Sequence, residues 1–269
     1  MDGILLQRSE FMVLLDAVQA SGVVGLPRET FPTQAEQFRA LVLDGINRLQ
    51  MRGLLRKQAN VNVLNSDLLA MAAAVAHPQL AVLTTHEAAG AAAPEVFMHY
   101  ETAGLVVEQT FPAEQEHRLV ALSNRGMLID RLNAIFALPE KNGSADRATV
   151  VPHAALTEAK ARAEGGQAEA AVKVLAEAAV EAETAKALVE CFQAPVASTA
   201  VVLMQCREGQ VTASRNAALV EGPSTAWVIV PAEPESVGYV VATAHPALLA
   251  RLLRKWMLEL APPAPRVLG

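Results

Sequence analysis

The chain carries one arrangement of segments twice, and this constrains its fold more than any other feature. The stretch LLAMAAAVAHPQLAVLTTHE, starting at Leu68, runs from an apolar helix through a proline into an apolar strand. The stretch TAKALVECFQAPVASTAVVLMQCRE, starting at Thr184, does the same. Pro78 and Pro195 mark the equivalent points. In both copies strand-like segments follow and an amphipathic helix closes the unit. These helices are NRGMLIDRLNAIFAL from Asn124 and HPALLARLLRKWMLEL from His245. The spacing far exceeds the roughly 20–50-residue period of solenoids, so a duplicated subdomain is expected rather than an array.

The first copy is preceded by two amphipathic segments. Residues 9–20 read as a helix with Ser9 as its cap. Gln34–Arg52 places Phe38, Leu41, Val42, Ile46 and Leu49 on one stripe and stops at Gly53. Asn65 or Ser66 caps the helix that ends at His77. Strands are expected at Leu80–Thr85, Glu95–Thr102, Leu105–Thr110 and His117–Leu122. Their short connections predict antiparallel hairpins. In the second half, Leu156–Ala179 is helical with a break at Gly165–Gly166, and Glu181–Gln193 is the next helix. Strands are expected at Ser198–Arg207, Val211–Arg215, Ala217–Val220, Ala226–Pro231 and Val237–Ala242. The fold class is therefore α+β: two pseudo-symmetric halves, each an antiparallel sheet covered by helices. The expected divisions are 1–137, a linker at 138–148, 149–260, and a flexible Pro-rich tail at 261–269.

With 52% hydrophobic and 19% charged residues the chain can bury a core and is not disordered. Aromatic residues are 4%, so that core must be mostly Ala, Val and Leu. A net charge of −6 argues against nucleic acid as a partner. The one basic cluster, Arg251, Arg254 and Lys255, lies where cations favour a helix C-terminus. No apolar run approaches the roughly 20 residues of a membrane span, and the N-terminus lacks a signal-peptide pattern. No membrane insertion and a cytoplasmic location are expected. Cys191 and Cys206 lack CxxC spacing or a nearby His, which predicts buried, reduced thiols.

The sequence holds no phosphate loop, nucleophile elbow or metal motif. In the strand FMHYET, alternation puts His99 and Glu101 on one face. A proton-handling pair there is weighed against a solvated polar sheet face. No catalytic residue, cofactor or metal is expected, and the protein reads as a non-enzyme. The partner-binding candidate is the loop Glu87, Ala88, Ala89, Gly90, Ala91, Ala92, Ala93 and Pro94. Its eight residues exceed the roughly two to five of a usual hairpin, and nothing local pins its conformation.

Two stretches carry a family likeness. LDGINRLQMRGLL (Leu43–Leu55) followed by NSDLLAMAAAVAHPQLAVLTTHE (Asn65–Glu87) resembles the N-terminal half of EspG-type proteins. These are the secretion-associated chaperones of ESX (type VII) systems. The ending ATAHPALLARLLRKWMLEL is similar to that family's terminal strand and helix. The resemblance implies a cytosolic, non-enzymatic α+β protein that shields an apolar patch on a secreted, helical PE–PPE heterodimer before export. It also implies that the first hairpin reaches toward this substrate. The alternative reading is a small-molecule-binding or regulatory module with a pocket between the two halves.

Overall fold

The computed structural model describes residues 3–261 apart from 21, 27–30, 60, 137, 139–146 and 234–237. The expected tail beyond 261 and most of the expected linker lie outside these residues.

The N-terminal elements are β1 (Ile4–Gln7), α1 (Arg8–Ala17), α2 (Ala35–Met51), β2 (Leu55–Gln58), β3 (Val61–Leu64) and α3 (Ser66–Ala76). The meander β4 (Leu80–Ala88), β5 (Glu95–Thr102), β6 (Leu105–Thr110) and β7 (Glu116–Leu122) follows, closed by α4 (Arg125–Phe136). The C-terminal elements are β8 (Ala148–Val151), α5 (His153–Glu164), α6 (Ala168–Glu177) and α7 (Ala182–Gln193). Then come β9 (Ala197–Arg207), β10 (Gln210–Glu221), β11 (Ala226–Pro231), β12 (Tyr239–Thr243) and α8 (Pro246–Glu259).

The α+β expectation holds, with one difference. The two sheets are one. Ten strands run in the order β1-β7-β6-β5-β4-β9-β10-β11-β12-β8. The join is β4 against β9, antiparallel, from Leu80↔Gln205 to Ala88↔Ala197. Read outward from this join, each half shows the same order, and the first strand of each half lies at the outer edge. A separate two-stranded hairpin, β2–β3, stands apart.

Alternation along the central strands divides the core. Ala81, Met98, Tyr100, Val107, Met204 and Cys206 pack with α1 and α3. Leu80, Val82, Val201, Leu203 and Leu219 face the other way and pack under α4 and α8. Val151, Trp227 and Val241 pack with α5, α6 and α7. Helices therefore cover one face in two separate groups, while α4 and α8 meet over the centre of the other.

Local signals account for several helix ends. Asn65 Oδ1 accepts from the backbone N–H groups of Asp67 and Leu68 at 3.0 and 3.1 Å, capping α3. His245 Nδ1 accepts from Leu248 N–H at 3.2 Å, and Pro246 opens α8. The break between α5 and α6 falls at Gly166, whose φ of 75° takes the left-handed conformation glycine permits. Ser9 is not a cap. It is buried inside α1; Gln7 is the N-cap, and its N–H donates to Glu10 at 2.8 Å in a capping box.

Several strand expectations differ: β12 runs Tyr239–Thr243, and its expected start at Val237 lies outside the described residues. β10 is continuous through Val211–Val220, with a bulge between Val211 and Ala213 where two strands were expected. β4 is longer than Leu80–Thr85, because β9 pairs with it to Ala88. The edge strands β1 and β8 were not expected. Both are four residues long, too short to show a period, and are fixed by distant partners, Ile4↔Leu119 and Tyr239↔Val151.

Candidate partner-binding surface

The loop expected at 87–94 is shorter in the structure. Glu87 and Ala88 belong to β4, paired with Ser198 and Ala197. Ala89, Gly90, Ala91, Ala92, Ala93 and Pro94 form the connection, and all are exposed. The expectation that nothing pins it is also corrected. Ala91 N–H donates to Ala88 O at 3.0 Å around Gly90, whose φ is 77°. Ala89 N–H donates to Val196 O at 2.8 Å. The turn is thus anchored to the segment leading into β9.

This anchoring places the loop at the end of an uncovered strip of the sheet. Between the two helix groups, the central strands present Thr85 and Glu87 from β4, Ser198 and Ala200 from β9, and Asn216 and Ala218 from β10. All but the half-buried Thr85 are exposed. The register aligns them: Thr85↔Ala200↔Ala218 across three strands, and Glu87↔Ser198 beside them. Their sequence neighbours Thr84, Thr199, Val201, Ala217 and Leu219 point to the other face and are buried. A central strand exposing small side chains offers a flat floor that a helix can approach closely. Sequence reasoning missed this strip. Its signal is the small residue at every second position of STA in β9 and NAA in β10.

The strand carrying His99 and Glu101 is not solvated. Both face α4, with His99 1% and Glu101 7% exposed. They do not pair with each other. His99 Nε2 meets Glu108 Oε2 on β6 at 3.1 Å, and Arg131 of α4 donates to Glu108 at 2.6 and 3.0 Å. Arg125 donates to both oxygens of Glu101 at 2.8 and 2.7 Å. Each carboxylate is held by an arginine at the rim of α4, which is a structural use of these groups. The His99 side chain is fully buried.

Cys191 and Cys206 are free and buried. Burial pushes the Cys206 thiol up to about 11 and raises that of Cys191 as well. Both are therefore thiols at neutral pH, in line with the apolar context of their sequence. Among the described residues no cluster of three or more His, Cys, Asp or Glu side chains could hold a metal ion. No described helix is long and apolar enough to cross a membrane. A cavity of about 430 Å³ does lie where the halves join, between His77–Gln79 and Gln205–Gly209.

No family model and no curated protein sequence matches the chain. Among solved structures the chain is similar to the Mycobacterium tuberculosis type VII secretion system chaperone EspG5 in complex with a PE25–PPE41 dimer. The TM-score is 0.69 at 16% identity, and 97% of each chain is covered. At that identity the likeness is one of architecture, and it extends through both halves: the chain shares the fold of this chaperone.

Proposed function

We infer that this chain is a non-enzymatic, cytosolic protein-binding chaperone or adaptor. Its partner is a secreted, helical heterodimer of the PE–PPE kind, held before export. The observation that carries the reading is the uncovered strip Thr85–Ala200–Ala218 at the centre of a sheet otherwise roofed by helices. It is supported by a fold shared, end to end, with a protein solved in complex with such a dimer. A floor of Ala and Ser lets a partner helix lie close, and the loop Ala89–Pro94 stands beside it to add contact. The internal likeness of the two halves is read as a duplication.

The test is co-expression with PE–PPE-type pairs encoded beside this chain, followed by size-exclusion chromatography. Co-elution of all three chains as one species is expected. Separate elution of every pair tried would overturn the reading. The second reading is a small-molecule module, favoured by the cavity between Pro78 and Cys206. Its ligand would raise the melting temperature in the absence of any partner protein.

A further inference from the structure

A second cleft, of about 930 Å³, opens at the outer part of the N-terminal half, away from the β4–β9 join. Its walls come from the start of α1, from the segment at Gly25–Leu26, from the start of β5 and from the β6–β7 loop. Leu26, Phe97, Phe111 and Pro112 make it apolar. The segment at its rim is fixed, because Tyr100 Oη donates to Val24 O at 3.0 Å.

At the base of this cleft lies His117, 5% exposed. Its ring is stacked on Phe11 at 4.2 Å and meets the edge of Phe111 at 5.7 Å. Nδ1 is held by the Gln109 side-chain amide at 2.8 Å. Among the described residues nothing bonds Nε2, and it is not one of the sealed, unpartnered atoms of the core. The exposed tip of the ring is therefore what reaches the cleft. Burial, and then the positive charge of Arg8, hold the His117 pKa down to about 4, so the ring is neutral at pH 7. With the Gln109 amide donating to Nδ1, the hydrogen sits on Nε2 and points into the opening.

The charges around the opening restrict what can enter. Among the described residues, Glu95, Glu114 and Glu116 line it against the guanidinium of Arg8. Carboxylate ligands would meet this excess of negative charge. An apolar cleft with a few placed polar groups, here including the His117 N–H, is the usual form of a small-molecule site.

We propose that this cleft binds an uncharged small molecule with an aromatic or alkyl body and a carbonyl-type acceptor directed at His117 Nε2. The cleft adjoins the partner loop at Pro94 but shares no residue with the strip Thr85–Ala200–Ala218, and its test needs no partner protein.

The probe is 4-phenylbutanamide, with 4-phenylbutanoate as the charged control, followed through backbone amide shifts of the full chain. Saturable shifts are expected at residues 94–97 and 110–117. The amide should bind at least about fivefold tighter than the acid. His117→Phe keeps the ring stack and removes the N–H donor, and should weaken the amide by about fivefold or more. Ala113→Trp, at an exposed loop position, should abolish the shifts and keeps the test open if His117→Phe does not fold. Absence of saturable shifts, equal binding of amide and acid, or full affinity in either variant would overturn the proposal.

Discussion

His99 Nε2 lies 3.1 Å from Glu108 Oε2 across the β5–β6 hairpin, with the two side chains 0% and 2% exposed. His99 Nδ1 is sealed without a partner, which leaves Nε2 as the nitrogen that donates. Arg131 closes the set from α4. Burial pushes the Glu108 carboxyl up, but the hydrogen bonds from His99 and Arg131 outweigh it and hold the pKa at about 2, against an ordinary 4.5. The folded value lies below the unfolded one, so the stabilisation is present above pH 4.5. It is lost as the pH falls from there through about 2. Glu108→Gln should cost about 2–3 kcal/mol at neutral pH, because it leaves the arginine and histidine donors poorly matched. It should also flatten the acid limb of the stability curve. Denaturant unfolding at several pH values measures both, and an unchanged midpoint would refute the assignment.

His117 gives a second, separate window. Its pKa falls from 6.5 to about 4, by burial first and then by Arg8. A depressed histidine stabilises the fold above its unfolded pKa and loses that contribution as the pH drops from about 6.5 through about 4. His117→Phe should remove most of the slope in that window while leaving the Glu108 window below it. A slope that persists unchanged in the variant would place the titration elsewhere.

Gly45 of α2 sits against α1 so closely that an added Cβ would overlap the Ser9 carbonyl. The atom it meets is backbone, which cannot swing aside. Gly45→Ala should therefore destabilise by about 1–3 kcal/mol despite alanine's better helix propensity. Thermal unfolding should show the drop, and a stabilised variant would mean that α2 is free to move off α1.

The sequence was most legible where a period or a cap decides the structure. β5, β6 and β11 match the expected bounds, because hydrophobic runs end in clear breaks such as Ala103–Gly104. The His99–Glu108 pair was also within reach. The two-residue turn at Ala103–Gly104 sets Thr102 opposite Leu105, and the same register brings His99 opposite Glu108. Alternation alone groups His99 with Glu101 on one face and weighs a pair against a solvated sheet face; their burial under α4 depends on Arg125 and Arg131, which come from distant positions in the chain. β1 and β8 were illegible for a related reason, since their pairing is long-range. The partner strip was hidden by the join of β4 to β9, which no local pattern announces.

Shortening the β4–β5 connection tests its role apart from the strip. Replacing Ala89–Ala93 with a tight Gly-containing turn should leave the melting temperature nearly unchanged, since all these residues are exposed. Capture of a demonstrated partner should fall at least about tenfold, about 1.4 kcal/mol. Unchanged capture would assign binding to the strip alone.

The central claim is tested most directly by the affinity of a co-purified PE–PPE-type dimer for the chain carrying Ala200→Arg and Ala218→Arg. Both positions are exposed on the uncovered face, so the fold and its melting temperature should persist. Two arginines standing on the small-residue floor should lower affinity by at least about a hundredfold, roughly 3 kcal/mol. An affinity equal to that of the unaltered chain, measured by titration calorimetry on folded protein, would contradict the account.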